Sequence, residues 1–298
     1  VILSQVRPGF TRKINFEKKR LYYQVETLIF GQAISRAINP ERIIVGTFNN
    51  GKISKKYKNF LTKFKCPIIK MNYESAELSK ISINIFLASS VNVSNMLART
   101  CKNISADWSE IVPALKLDKR IGPNAYLKPG LGISGGNIER DLFSIKKIMI
   151  KDNLGKEMIN SFIKNSEYMK DWAYRILKKK LKKKMVIGIL GLAYKDNTNS
   201  TKNSPSIELL KRIKSNTVLA YDPLAKVKNY RNFKQVKDIT MVIKKSNFIM
   251  LMTDWKNTKK LHEYIKKNNL KNKIIIDPYS LLRSSVRKNF KEYITIGN

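Results

Sequence analysis

The longest regular pattern in the sequence is "SAELSKISINIFLASSVNVSNMLARTCKN", residues 75–103. Apolar residues recur in it at spacings of three and four over about seven turns, and neither glycine nor proline interrupts the pattern. We therefore predict one helix from about Ser75 to Lys102. A helix of this length usually forms the spine of a domain, so the rest of the fold has to be arranged around it.

Two regions of a different pattern flank this helix. Up to about residue 71, strand-like runs ("VILSQV", "RIIVGT", "CPIIKMN") alternate with a helical run ("NFLTKFK"). From Lys184 on, apolar strands ("MVIGILGLAY", "TVLAYDP", "FIMLMT", "KIIIDP") alternate with amphipathic helices, as in a parallel sheet covered on both faces. We predict a mixed α/β fold with three parts: the end of an α/β domain (1–72), a helical central domain (73–182) and a complete α/β domain (183–298).

The composition is that of a globular protein. A chain of 298 residues with 43% hydrophobic content can build the cores of two domains or more. It has no run approaching the roughly 20 apolar residues of a membrane-spanning helix and no leader pattern, so we expect a soluble, cytoplasmic protein without a membrane partner. The strand-like run that starts at Val1 predicts that the sequence is a fragment of a longer protein. Cys66 and Cys101 lack metal-type spacing, which favours reduced thiols and no metal site.

The net charge of +37 raises the question of an anionic partner. Lysines are spread along the whole chain, however, and the densest run, "RILKKKLKKKM", contains no aromatic residues on which bases could stack. The pattern favours a solvated basic surface. Nucleic acid as a partner remains the minor alternative.

Two stretches carry residues that suit chemistry. "KPGLGISGGNIERDL" could be a flexible surface loop, or its glycines could bring backbone N–H groups close to a phosphate or sugar ahead of a helix N-terminus. Lys80 and Asn84 lie four residues apart, on one face of the long helix. They are either a solvent-facing pair or an amine and an amide that hold a water or alcohol between them.

The order of the motifs resembles the nucleotide-sugar dehydrogenase family, the UDP-glucose/GDP-mannose dehydrogenases. The similarity runs from Ser4 to the end of the chain and rests on "YYQVETLIFGQAISRAINPERIIVG", "SAELSKISINIFLA", "LDKRIG", "PGLGISGGNIERDL", "ILGLAYKDNTNSTKNSPSIELL", "AYDP" and "TDW". The resemblance implies the end of an N-terminal NAD-binding Rossmann domain, an all-helical central domain that forms a homodimer, and a C-terminal Rossmann-like domain that binds the nucleotide. The implied activity is NAD-dependent oxidation of the C6 hydroxyl of a nucleotide sugar, most simply a UDP-sugar, for polysaccharide precursors.

The resemblance also implies roles for individual residues. Those implied to be catalytic are Glu26, Lys80, Asn84, Asn137 and Asp141. Those implied to contact the substrate are Thr27, Leu28, Phe30, Arg120, Tyr126, Lys128, Gly130, Gly132, Ser134, Tyr194, Lys195 and Tyr279, and those implied to face NAD are Ser4, Gln5 and Lys202.

Three positions depart from the family pattern. Asn137 stands where the family has the cysteine that attacks the aldehyde intermediate, Gln5 replaces a threonine, and Tyr279 replaces an arginine that contacts the substrate. An amide cannot form a thioester, so the second oxidation is in question. The alternative is a non-catalytic nucleotide-sugar-binding protein or a degenerate subunit. The sequence leaves the sugar and the oxidation state of the product open.

Overall fold

The computed structural model describes residues 1–28, 31–182, 184–228 and 230–297. They form two compact units, one of Val1–Phe86 with Phe143–Ile148 and one of Leu87–Leu142 with Met149–Asn298. The finer three-domain division predicted from the sequence stays a prediction.

The strands are β1 Tyr23–Gln24, β2 Ile43–Thr47, β3 Ile68–Asn72, β4 Ile187–Leu190, β5 Val218–Tyr221, β6 Phe233–Gln235, β7 Phe248–Leu251, β8 Leu270–Ile276 and β9 Phe290–Ile294. The helices are α1 Phe10–Lys13, α2 Ala33–Ile38, α3 Lys55–Leu61, α4 Tyr73–Asn103, α5 Trp108–Leu117, α6 Asn137–Ile148, α7 Asn153–Lys170, α8 Trp172–Lys180, α9 Pro205–Arg212, α10 Ile239–Lys245, α11 Lys259–Lys267 and α12 Ser284–Arg287. Short 3₁₀ helices cover Lys18–Arg20, Phe48–Asn50 and Thr62–Phe64.

The first unit contains a small mixed sheet. β2 pairs in parallel with β3 and antiparallel with β1. The strand predicted for residues 1–6 is wrong: only Ile2 pairs, in an isolated bridge with Tyr23. Val1 and Leu3 are more than half exposed, so the apolar run has no second neighbour on which to extend its pairing.

The second unit contains a six-stranded sheet in which every pairing is parallel. The strand order is β6-β5-β4-β7-β8-β9, so the chain winds outward from β4 in one direction and then from β7 in the other. Helices cover both faces, and two separate clusters of buried apolar residues lie on them. The complete parallel sheet predicted after Lys184 is confirmed. In a doubly wound sheet, ligands bind at the carboxyl ends of the strands where the order reverses, which here is between β4 and β7.

The long helix α4 confirms the prediction of one helix over about Ser75 to Lys102. By length and mean hydropathy it could span a membrane, and it is the one such helix among the described residues. It nevertheless carries polar groups that bond to the protein around them. Glu77, fully buried, accepts the backbone N–H groups of Gly9 and Thr11 at 2.5 and 2.8 Å, and Asn95 accepts that of Gly130 at 2.8 Å. Such bonds are typical of a helix packed inside a folded domain.

Candidate functional site

The segment Lys128–Gly136, called here the glycine loop, crosses the carboxyl edge of the six-stranded sheet. At one end, Lys128 forms an ion pair with Asp254, which follows β7, and its Nζ lies 5.9 Å from the centre of the Tyr279 ring, which follows β8. At the other end, the loop reaches Tyr194, which follows β4. The loop therefore contacts the segments after three strands at the edge where doubly wound sheets bind their ligands.

Two of the loop's glycines are required by close approach to aromatic rings. A Cβ on Gly130 would lie 2.6 Å from Cε1 of Tyr279, and one on Gly135, where φ is +77°, would lie 2.8 Å from Cε2 of Tyr194. Any larger residue would push the loop away from these rings. The bare backbone of the motif thus lets the loop lie directly on the two tyrosines.

Side chains from the helical part hold the loop in place. Asn95 of α4 accepts the N–H of Gly130 at 2.8 Å, and Ser166 of α7 accepts the N–H of Ile133 at 2.7 Å through its hydroxyl oxygen. Leu131 of the loop is fully buried in the core beside β4. The loop is therefore anchored and does not match the interpretation of a flexible surface loop.

The segment after β4 is fixed by an aspartate that the sequence analysis did not assign. Asp222, at the end of β5, accepts the N–H groups of Leu192 and Ala193 at 2.7 and 2.9 Å with one carboxylate oxygen. Its other oxygen accepts those of Leu224 and Ala225 at 2.9 and 2.7 Å. The sequence feature that could have indicated this role is an acidic residue directly after a strand, in "AYDP".

A cavity of about 630 Å³ opens between the start of the glycine loop and α5. Its walls include Trp108, Tyr126, Lys128, Asp254 and Tyr279. The cavity is thus lined by aromatic rings and one ion pair, a combination that suits a flat polar ring with a charged substituent. Of the residues predicted to contact the substrate, Tyr126, Lys128 and Tyr279 line it.

Burial changes the ionisation of three side chains beside the loop. It lowers the pKa of the half-buried Lys195 amine and raises the pKa of the Tyr194 phenol. Burial raises the pKa of Tyr279 well above its usual range, and the negative charge of Asp254 adds to this effect. The tyrosines therefore stay neutral near pH 7, whereas Lys195 supplies a cation that is partly withdrawn from water.

Helix α6 begins at Asn137, directly after the glycine loop, as the motif predicted. Asn137 is exposed, whereas Asp141, one turn further on, is 1% exposed and lies 3.5 Å from Arg140. Lys202 packs on the loop, because a Cβ on Gly136 would lie 2.8 Å from its Cε. The residues implied for catalysis and for NAD contact in this unit are thus gathered at the start of α6.

Arg120 does not join this cluster. Its guanidinium pairs with Asp118 at 2.6 Å, and the Arg120 side chain is 90% exposed. The pair also holds the pKa of the Asp118 carboxyl below its ordinary value. The predicted contact of Arg120 with a nucleotide sugar, often across the dimer, stays a prediction.

The other predicted residues belong to the first unit. Lys80 is half-buried and Asn84 is buried, and both lie on α4 within the same turn. Glu26 is exposed and accepts the N–H of Leu28 at 2.5 Å. Thr27 accepts a hydrogen bond from Arg36 through its carbonyl oxygen at 3.2 Å. Ser4 is exposed, Gln5 is half-buried, and Phe30 lies outside the described residues.

No group of three His, Cys, Asp or Glu side chains within residues 1–28, 31–182, 184–228 and 230–297 could hold a metal ion. Both cysteines are unpaired. Cys101 is buried, and Cys66 is half-buried.

Two family models match the chain, one over its central part and one over its C-terminal part. Residues 74–167 match the central domain of the UDP-glucose/GDP-mannose dehydrogenase family, and residues 188–284 match the UDP binding domain of the same family. Together the two matches cover well over half of the chain. The chain belongs to the UDP-glucose/GDP-mannose dehydrogenase family. It is thus a member of an oxidoreductase family, as its motifs predicted.

Curated members of this dehydrogenase family align along most of the chain. UDP-glucose 6-dehydrogenase TuaD of Bacillus subtilis is 29% identical over 267 residues, which are 86% of this chain and 57% of that protein. UDP-glucose 6-dehydrogenase of Rickettsia bellii is 28% identical over 318 residues, which are 100% of this chain and 73% of that protein. The chain thus spans little more than half of the Bacillus relative and about three quarters of the Rickettsia one.

Solved structures show the same fold. A UDP-glucose dehydrogenase from Pyrobaculum islandicum superimposes with a TM-score of 0.79 at 23% identity, over 97% of this chain and 68% of that one. The UDP-N-acetyl-mannosamine dehydrogenase Cap5O of Staphylococcus aureus gives 0.73 at 19% identity, over 99% of this chain and 71% of that one. At these identities the likeness establishes the fold of the family, including its Rossmann-like sheet.

Proposed function

We propose that the protein is an NAD-dependent nucleotide-sugar dehydrogenase that oxidises the C6 hydroxyl of a UDP-sugar, most simply UDP-glucose, for polysaccharide precursors in the cytoplasm. The observation that carries the proposal is the contact of the glycine loop with Tyr194 and Tyr279 at the carboxyl edge of the parallel sheet. The match of residues 188–284 to a UDP binding domain supports the choice of a uridine nucleotide.

The loop and its neighbours suit a diphosphate. Backbone N–H groups brought close by glycines are good donors to phosphate oxygens. Lys195 adds a cation at one end of the loop contact, and Lys128, paired with Asp254, lies at the other end. Because Lys195 is partly withdrawn from water, its attraction to a phosphate is screened less than that of an exposed lysine.

We assign the proton chemistry to Lys80, Asn84 and Asp141. Lys80 and Asn84 project from one face of α4 and can hold the C6 hydroxyl or a water between an amine and an amide. Asp141, buried one turn after Asn137, is the carboxylate that binds the water and takes part in proton transfer. Glu26 is assigned a catalytic role by the resemblance alone.

Asn137 limits what the site can do after the first oxidation. An amide nitrogen is not a nucleophile toward an aldehyde, so this residue cannot form the covalent thiohemiacetal that a cysteine would form. The second oxidation then requires the hydrated aldehyde, or the reaction ends at the aldehyde.

The described sheet of the second unit does not fit NAD. "VIGILGLAY" lacks the full GxGxxG turn, and Asp222, at the position where a dinucleotide-binding sheet offers a carboxylate to the ribose, is occupied by four backbone N–H groups. The residues assigned to NAD by the resemblance are Ser4, Gln5 and Lys202. NAD, when bound, supplies the hydride acceptor.

Exposed apolar residues on α4 support a homodimer through this helix. Val93, Met96 and Leu97 are 45%, 48% and 37% exposed and follow one another along the helix at spacings of three and one. Side chains of this kind are more commonly covered by a partner than left in water when they form a continuous patch.

The function is tested with the protein expressed from its complete reading frame. We expect NADH formation with UDP-glucose that Lys80→Ala abolishes. The second candidate, a non-catalytic nucleotide-sugar-binding protein, is favoured by Asn137. It predicts that UDP-glucose binds without any NADH formation in the wild type.

A further inference from the structure

One amide side chain joins three segments at the start of α6. Asn203, in the connection between β4 and α9, has a left-handed backbone with φ of 54°. Its Nδ2 donates to the carbonyl of Gly135 at 3.2 Å and to Oε2 of Glu139 at 2.8 Å. Its Oδ1 accepts a hydrogen bond from Nζ of Lys170 at 2.6 Å. The glycine loop, α6 and α7 are therefore tied together at a single residue.

Disturbing this arrangement would destabilise the protein because it involves the buried amine of Lys170. Its side chain is 9% exposed, and its Nζ lies 3.7 Å from Oε1 of Glu139. A cation this far from water needs charge and hydrogen-bond partners, because leaving a buried charge uncompensated is strongly destabilising. Its partners here are Asn203 and Glu139, so the amine keeps both of them ordered.

The bonded groups lie on either side of Asn137. Gly135 is two residues before it and Glu139 is two residues after it, in the first turn of α6. Because Asn203 bonds to both Gly135 and Glu139, it holds the first turn of α6 and its first residue, Asn137, in place. The same connection carries Lys202, which packs on Gly136.

We propose that Asn203 is a positioning residue, which together with Lys170 holds Gly135 and the first turn of α6 in the conformation that binds the sugar nucleotide. The inference rests on the proposed function for its ligand, but the network itself can be tested without a ligand. Asn203 and Lys170 are 33 residues apart and belong to no common motif, so the sequence pattern did not indicate the pair.

The decisive variant is Asn203→Gly in the 298-residue chain. Glycine retains the left-handed backbone and removes the side chain with its amide. The matched control is Asn197→Gly, in the same connection, with φ of 55° and an exposed side chain. We expect Asn203→Gly to weaken UDP-glucose binding in calorimetry about tenfold, the effect of losing hydrogen bonds that order the site, and Asn197→Gly to change it less than about twofold.

Hydrogen exchange separates positioning from general destabilisation. Without ligand, Asn203→Gly should speed exchange of the backbone amides of residues 135–140 while those of the central strands β4 and β7 keep wild-type rates. Unchanged exchange at residues 135–140 would overturn the inference, and so would acceleration spread equally over the unit. Failure of the wild type to bind UDP-glucose would instead count against the proposed function.

A second variant keeps the inference testable if the glycine variant unfolds. Asn203→Asp retains the size of the side chain and the acceptor for Lys170, but it cannot donate to the Gly135 carbonyl. We expect UDP-glucose binding to be weakened as in the glycine variant. Wild-type binding by Asn203→Asp would show that the amide donor does not position the loop.

Discussion

The side chain of Thr253 lies against the backbone of Gly191 and joins the carboxyl ends of β7 and β4. The Thr253 hydroxyl donates to the carbonyl of Ala193 at 2.7 Å, and a Cβ on Gly191 would lie 2.5 Å from the Cβ of Thr253. These two strands are the ones between which the sheet order reverses, so this contact lies at the sheet edge where the substrate site is proposed.

The first prediction concerns this contact. Gly191 has φ of +99° and no space for a side chain, so Gly191→Ala should lower the free energy of unfolding by about 2–4 kcal/mol in urea titrations. Gly122→Ala is the control, because Gly122 has φ of +81° with open space around it and should cost only about 1 kcal/mol. Equal losses in the two variants would show that crowding by Thr253 contributes nothing.

The second prediction concerns the charge at the β4 end of the loop. Lys195→Ala should weaken UDP-glucose binding about tenfold, since a partly buried cation facing a diphosphate makes a strong charge-assisted hydrogen bond. Lys271→Ala removes the same charge from an exposed position on β8 and should leave the dissociation constant within about twofold. Calorimetry at fixed ionic strength measures both. Equal affinity of wild type and Lys195→Ala would contradict the assigned position of the diphosphate.

The third prediction concerns pH. Burial lowers the pKa of Lys170 below its unfolded value, so in the range just below the ordinary lysine pKa the unfolded chain binds more protons at this residue than the folded one. Its contribution to stability should therefore rise with pH. We expect the difference in unfolding free energy between wild type and Lys170→Met to shift in favour of the wild type between about pH 8 and about pH 10. A difference that stays constant or shifts the other way would show that Lys170 is not desolvated.

The fourth prediction concerns the residue that begins α6. In the protein from its complete reading frame, Asn137→Cys should add or accelerate the second NADH per sugar, because it restores a nucleophile at this position. Single-turnover counts of NADH, with a search for a covalent sugar adduct by mass spectrometry, measure this. Two NADH from the wild type, at a rate that the cysteine variant does not improve, would contradict the role assigned to this position.

Much of the fold could be predicted from the sequence because its helices and strands are long or have a strong hydrophobic pattern. The long helix α4 and the apolar strands β4, β7 and β8 were predicted, since each has an unbroken hydrophobic pattern. The short β6 and α10 were missed because a few residues carry no measurable period. The predicted strand at residues 1–6 failed because pairing depends on a neighbour, which a local pattern does not reveal.

The candidate site was predictable only where a motif marks it. Sequence motifs predict the glycine loop, Tyr194 and Tyr279 as site residues. Their contact with one another is visible only in the folded structure. Asp222 and Asn203 act by hydrogen bonds to the backbone of distant segments, and such bonds leave no signature in spacing. Residues that face the proposed ligand are therefore easier to predict from a sequence than residues that hold them in position.

The central claim is that the glycine loop binds a UDP-sugar at the carboxyl edge of the parallel sheet. Hydrogen exchange of the 298-residue chain with and without saturating UDP-glucose tests it directly, read by mass spectrometry at peptide resolution. We expect protection of the backbone amides in residues 128–136 and 191–195, with little change in the edge strand β6. Protection confined to other segments, or no binding of UDP-glucose at millimolar concentration, would contradict the claim.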